Sequence, residues 1–385
     1  MTVHIRTAQV LVVRIPLRIS IEHAAAARRA NTTVFILLES AEGTLGIGEA
    51  LAREYVTGES PQGCARLLAA AAQGIVGRTI DDPRVFLTDL EAVMPLPPAA
   101  ACALELAVLD LWSRSTGATI EMALGYSDTT EAGHSLTFSA VYPLASGPKL
   151  TALHVFYRTL LRMTDLKVKG TGNASTDLAY LTRIRRAYPY PVSVRVDLNG
   201  ALDDDEAAGY VGTLLRAGVS WFEQPFPKDD WESHRRLQRE FGSDITLCGD
   251  ESLCTVDDVR RAAREGAFRA VNIRVAKHGG IRCSLDVYRA AVEGGLDAQL
   301  GALVGETSVL AYAGLHFAAL TGPLAHHEGC FGKFVIKHDI VRPSLTFTRG
   351  GRVSLAARPQ AGLVPAIDLR ALRTGTLTVN RFAAA

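Results

Sequence analysis

No run of about 18 consecutive apolar residues occurs in the chain, and a membrane-spanning helix needs roughly that length. The first 20 residues set Arg6, Arg14 and Arg18 among apolar neighbours, so the apolar core of a secretory signal is missing too. Charge of one sign is absent: 41 Lys and Arg face 40 Asp and Glu, a formal net charge of +1. That balance gives no case for nucleic acid or an anionic membrane surface as a partner. The six cysteines, at 64, 102, 248, 254, 283 and 330, show neither CxxC nor zinc-ligand spacing and read as reduced thiols. There is no low-complexity linker and no charged tail. A soluble, cytoplasmic protein is expected. Its 385 residues, 48% hydrophobic, suffice for two domains with a sizeable core.

What is present falls into blocks. Residues 10–18, 32–39 and 45–49 read as strands, the last two as a hairpin around Ala41-Glu42-Gly43. Residues 64–75, 83–92 and 98–115 have helical apolar spacing. Within the last, the alanine-rich run 99–107 reads as a tightly packed face. Strands followed by helices make an α+β domain, taken as residues 1–128. From 129 the pattern alternates. Apolar runs that end in polar residues recur about every 25 residues, with amphipathic stretches such as 203–217 and 256–265 between them. That period suits a parallel barrel. Its strands are expected at 136–142, at the segments holding Lys167, Asp197, Glu223, Asp250 and Arg274, and at 298–304 and 324–329. The barrel is assigned to residues 129–336. The tail, 337–385, has strand-like pieces at 345–348 and 377–379 and is expected to fold back on the first domain.

The chemistry concentrates at the strand ends. In Leu166-Lys167-Val168-Lys169-Gly170 a strand turns both lysines to one face. Adjacent ammonium groups repel, and burial lowers their proton affinity further, which would fit one of them to take a proton near neutral pH. Alone, the pair reads more readily as a strand edge carrying two solvated charges. The following strand ends each carry an acid: Asp197 in Val196-Asp197-Leu198-Asn199, Glu223 in Phe222-Glu223-Gln224-Pro225, and Asp250 in Gly249-Asp250-Glu251-Ser252. Single acids there often cap the next helix. Three in succession would converge at the barrel mouth, where hard oxygen ligands suit Mg²⁺.

With Gly279-Gly280 after the sixth strand, this set of Lys-x-Lys, Asp-x-Asn, Glu-Gln-Pro and Asp-Glu-Ser resembles the enolase superfamily, in its muconate-lactonizing-enzyme-like subgroup. The resemblance spans essentially the whole chain, and Gly46-Ile47-Gly48-Glu49-Ala50 resembles a segment of that family's capping domain. It implies a modified (β/α)7β TIM-type barrel with an N-terminal α+β capping domain, often in homo-oligomers. It implies Mg²⁺, with Mn²⁺ as a substitute, on Asp197, Glu223 and Asp250. Lys169 is implied as the base that takes the α-proton of a small carboxylate, and Lys167 as a holder of the substrate carboxylate. Arg274 departs from the pattern, because two-base members carry a second lysine there. Arginine stays protonated in proteins, so one-base lyase or cycloisomerase chemistry is expected. The alternatives are a racemase or epimerase of an amino-acid derivative or dipeptide, and a non-catalytic metal- or ligand-binding protein on the same scaffold. Lys277, three residues on, reads as structural. Substrate contacts are expected from His23, Arg53, Tyr55, Thr57, Asn199, Glu306, His326 and Glu328. The family's dipeptide epimerases carry Asp-x-Asp at the last place, where this chain has His326-His327-Glu328.

Overall fold

A computed structural model describes residues 2–23, 26–127 and 134–384. The side chains of residues 19–23 and 26–28 are outside that description, and so is the expected boundary at 128/129. Three strands come first: β1 (Val3–His23), β2 (Ala26–Ser40) and β3 (Leu45–Ala50). They pair antiparallel in chain order, with Val10 opposite Ile36 and Ile36 opposite Gly48. The short helix α1 (Glu54–Thr57) comes next, then α2 (Pro61–Ile75), α3 (Pro83–Val93) and α4 (Pro98–Thr116). Each of the last three begins at proline, which fits a first turn that needs no amide donor.

The face of β3 is bare so that α4 can lie against it. A Cβ on Gly48 would stand 1.7 Å from the Ala103 carbonyl oxygen, and one on Gly46 would stand 2.5 Å from that of Ala107. The alanine run of α4 is thus the packed face expected from its small residues, and Ala99, Ala100, Ala103 and Ala107 are buried.

The second unit is a parallel sheet: β4 (Ala140–Tyr142), β5 (Asp165–Lys169), β6 (Ser193–Asp197), β7 (Trp221–Glu223), β8 (Thr246–Gly249), β9 (Ala270–Ile273) and β10 (Asp297–Leu300). All seven are neighbours in sequence order. The connections carry α5 (Gly147–His154), α6 (Ala174–Ala187), α7 (Asp204–Arg216), α8 (Trp231–Phe241), α9 (Val256–Glu265), α10 (Ile281–Glu293) and α11 (Ser308–Leu320). The segment around His327 closes the barrel, bridging in parallel to Leu300 on one side and Phe138 on the other. The architecture is the expected (β/α)7β barrel with a strand-rich α+β unit before it.

Three expected strands differ, and the first, at 324–329, contributes only isolated bridges at His327. Residues 136–142 split, because Ser135–Thr137 pairs antiparallel with Arg352–Ser354 while only Ala140–Tyr142 joins the barrel. Residues 345–348 form no strand: Leu345 and Phe347 are buried, but the Leu345 amide donates to Ser308 Oγ (2.8 Å) rather than to a ladder. The last strand, β11 (Thr376–Ala383), pairs antiparallel with β1.

Carboxylates of the first unit hold barrel helices by their N-termini. Glu49 accepts from the Thr307 amide (3.1 Å) and hydroxyl (2.6 Å) at the start of α11. Glu105 Oε1 accepts from the amides of Ile281 (2.5 Å) and Arg282 (3.1 Å) at the start of α10. Gly280 has φ 120°, and a Cβ there would meet Glu105 Oε1 at 2.5 Å, so the glycine pair leaves room for this carboxylate.

The β3–α4 contact is testable. Gly48→Ala should cost about 2 kcal/mol or more through overpacking. Gly209→Ala, on α7 with open space around it, should gain roughly 0.5–1 kcal/mol. Thermal melts of both variants check this, and equal melting temperatures would contradict close packing of β3 on α4.

Candidate active site

The sheet register brings the chemistry together. Lys169 pairs with Asp197 across β5 and β6, Asp197 with Glu223 across β6 and β7, and Glu223 with Cys248 on β8. Asp250 comes two residues after Cys248 and so returns to the same face. The three acids therefore stand on successive strands at their C-terminal ends, and all three are buried.

Lys167 is the hub. Its Nζ lies 2.8 Å from Asp197 Oδ2, 2.7 Å from Glu223 Oε1 and 3.0 Å from Glu328 Oε1. Burial by itself would lower its proton affinity, but Asp197, Glu223 and Glu328 outweigh burial and hold it well above the ordinary lysine range. For Lys167 this corrects the lowered proton affinity expected of it: three carboxylates act on it more strongly than its neighbour does. Lys169 donates to Asp197 Oδ2 (2.6 Å) and to Asn199 Oδ1. Its side chain is 27% exposed, against 3% for Lys167, 8% for Arg274 and 0% for Lys277.

Arg274, just past β9, pairs with Asp250 Oδ2. Lys277 is clamped by the carbonyls of Asp250 (2.7 Å), Asn272 (2.8 Å) and Leu253 (3.1 Å) and by Asp250 Oδ1 (3.1 Å). That set leaves it no role facing the mouth.

The expected substrate contacts separate. Asn199, at φ 45°, lies in the mouth beside Lys169. Glu306, in the loop after β10, accepts from the Leu303 amide (2.5 Å) and borders a small cavity shared with Glu328 and Val275. Burial pushes its carboxyl up to about 8. Tyr55 and Thr57 sit on α1, and Tyr55 is exposed. Arg53 ties that turn to the barrel by reaching the Val304 carbonyl (3.2 Å). His23 ends β1, and its side chain lies outside the described residues.

Two expectations need correction. Glu328 is not left over for substrate, because Arg195 Nη2 (2.8 Å) and Lys167 Nζ (3.1 Å) take its two oxygens. His326 is at the other end of the barrel: its Nδ1 is 3.0 Å from Asp165, the first residue of β5, and its ring meets that of Trp221, the first residue of β7. The barrel's stagger sets its height, which alternation alone does not reveal.

Sequence reasoning passed over the groups that position these side chains. Arg195, 1% exposed, joins Glu328 to Asp165 and Ser139. Asn272 (2.9 Å) and Gln299 (2.7 Å), paired across β9 and β10, each donate to Glu223. Gln224, at φ 41°, accepts from the amides of Asp250 (2.9 Å) and Ser252 (3.2 Å) and donates to Ser252 Oγ (2.7 Å). The available signal was alternation, since Arg195 and Asn272 stand two residues before Asp197 and Arg274.

Among the described residues, no three His, Cys, Asp or Glu side chains form a ready metal cage; the carboxylates of Asp197, Glu223 and Asp250 are each turned onto a cation. The donor set still suits a hard divalent ion. It is all oxygen, on adjacent strand ends. Burial and then Asp197 keep the Glu223 carboxyl above its usual range despite Lys167.

Residues 156–368 match the family described as enolase C-terminal domain-like. The chain belongs to that family. It is thus an enolase-superfamily enzyme of the muconate-lactonizing-enzyme-like group, whose matched members are isomerases. The hydrophobic dipeptide epimerase of Citrifermentans bemidjiense is 29% identical over 322 residues, 82% of this chain and 85% of that one. Muconate cycloisomerase 1 of Rhodococcus opacus is 24% identical over 376 residues, 96% and 98% of the two chains. The solved dipeptide epimerase from Cytophaga hutchinsonii, complexed with Mg and dipeptide D-Ala-L-Val, superposes with TM-score 0.85 at 18% identity, covering 99% of this chain and 100% of that one.

The support under Gln224 titrates. His234 Nδ1 lies 2.6 Å from the Asp230 carbonyl, and Nε2 is 3.4 Å from the Phe226 amide. These partners assign the proton to Nδ1. Burial lowers His234 to about 4, below the unfolded value of about 6.5. The native state therefore binds fewer protons, and the stability from neutral His234 is full above about pH 6.5 and lost as pH falls toward 4. The slope is at most about 1.4 kcal/mol per pH unit. His234→Gln should flatten the melting-temperature profile over that window; parallel profiles would contradict the assignment.

Proposed function

We propose that the chain is a Mg²⁺-dependent enzyme that forms an enolate by removing the α-proton of a small carboxylate, with Lys169 as the base. The observation that carries this is exposure. Lys169 is the reachable ammonium in a mouth whose other cations are buried, and it pairs with Asp197, one of the three acids on successive strand ends. Asp197, Glu223 and Asp250 would hold Mg²⁺, or Mn²⁺ in its place. A divalent ion there supplies positive charge to the substrate carboxylate as enolate charge develops. In its neutral form Lys169 takes the proton, and Asn199 fixes the position of its Nζ. Lys167 stays protonated as fixed positive charge inside the barrel.

Arg274 decides the fate of the enolate. A guanidinium does not act as a base near neutral pH, and this one is tied to Asp250. One face of the substrate therefore has a proton carrier and the other has none. Lys169 returns the proton to the face it came from or passes it to a leaving group. Cycloisomerisation and β-elimination both fit. Epimerisation of an amino-acid derivative or dipeptide is the second reading, favoured by the epimerases among the relatives; it requires an acid other than Arg274.

The test is α-proton exchange in D₂O with Mg²⁺ and a panel of N-acyl amino acids, dipeptides, hydroxy acids and muconolactones, read by mass spectrometry and chiral separation. Deuterium without inversion is expected. Lys169→Ala should lose exchange by at least about 100-fold while still binding Mg²⁺. Exchange retained in that variant would remove Lys169 as the base, and inversion by the wild type would favour the epimerase reading.

A further inference from the structure

The loop after β8 holds a carboxylate that the proposed chemistry leaves unused. Glu251 follows Asp250, and its Oε1 accepts from Asn199 Nδ2 at 3.4 Å. Asn199 in turn accepts from Lys169. A polar chain from Lys169 through Asn199 to Glu251 thus crosses the mouth, from the end of β5 past β6 to β8. The charges acting on Glu251 are those of Asp250, Arg274 and Asp197, so its carboxylate faces the same groups as the three acids.

Its second oxygen is anomalous. Glu251 Oε2 is out of contact with solvent and has no hydrogen-bond partner. A carboxylate oxygen that is neither hydrated nor paired is costly, and buried polar atoms are nearly always satisfied. The nearby ammonium groups are committed, Lys277 to Asp250 and three carbonyls, and Lys169 to Asp197 and Asn199. Arg274 Nε is also without a partner, yet it forms no bond to Glu251.

We propose that Glu251 is a fourth carboxylate of the divalent-cation site, with Oε2 turned to the ion or to a water on it. This rests on the metal role proposed for Asp197, Glu223 and Asp250. The test uses Mn²⁺ alone, titrated into the full-length protein and followed by electron paramagnetic resonance of the free ion. Melting temperatures are taken in parallel with chelator present. Glu251→Gln keeps the shape and removes the charge. Its Mn²⁺ affinity should fall about 10-fold or more, while its metal-free melting temperature stays level or rises, because an unpaired buried charge has gone. Wild-type affinity in that variant overturns the proposal, and a lowered metal-free melting temperature with unchanged affinity identifies Glu251 as a structural partner of Arg274 instead. If Glu251→Gln does not fold, Glu251→Asp is titrated: weaker binding supports the proposal and wild-type binding overturns it. Absence of Mn²⁺ binding by the wild type overturns both this proposal and the metal reading beneath it, whereas wild-type binding with an unaffected variant overturns this one alone.

Discussion

Lys167 Nζ lies within 3.0 Å of carboxylate oxygens from three separate barrel segments, those of Asp197, Glu223 and Glu328. Most barrel interiors are filled with branched apolar side chains; this one is ionic at mid-height. A lone ammonium at that depth would be strongly disfavoured, and so would any of the three acids without it. Arg195 extends the network to Asp165 and Ser139. The closing segment is thereby bound to β5 and β6 by charge as well as by its bridges to Leu300 and Phe138. The mouth above inherits its geometry from this layer, because Lys169 and Asp197 stand two residues beyond Lys167 and Arg195 on the same strands.

The α+β unit is fixed to the barrel by the same kind of group used differently. Glu49 and Glu105 accept backbone amides at the starts of α11 and α10, where unsatisfied amides and the helix dipole favour an anion. Burial nevertheless pushes both carboxyls up to about 7. Their placement sets where the turn carrying Arg53 and Tyr55 meets the loop after β10. The first unit thus meets the C-terminal end of the barrel through Arg53.

Much of this was legible from the chain. The repeat of apolar runs ending in acids pointed to the barrel, because each parallel strand must be followed by a helix before the next can pair. Alternation put Lys167 and Lys169 on one face, and the alanine run of α4 announced a tightly packed face. What alternation could not supply was height. His326 and Glu328 share a face, yet one lies beside Asp165 at the base and the other beside Lys167, because strand stagger is a property of the closed sheet. The state of Lys167 was unreadable for a related reason: it depends on acids 30, 56 and 161 positions away in sequence that meet only when the barrel closes. The amide side chains of Asn272 and Gln299 looked like ordinary polar residues until both were seen on Glu223.

In the proposed function, enolate chemistry at this mouth depends on a divalent ion taking the place now shared among cations at the strand ends. The most direct measurement is a crystal structure grown with Mn²⁺, with the ion located by its anomalous scattering. The expected result is a single strong peak among the carboxylates of Asp197, Glu223 and Asp250, with Arg274 withdrawn from Asp250. Carboxylates still paired to Lys167 and Arg274, with the peak elsewhere or absent, would contradict it.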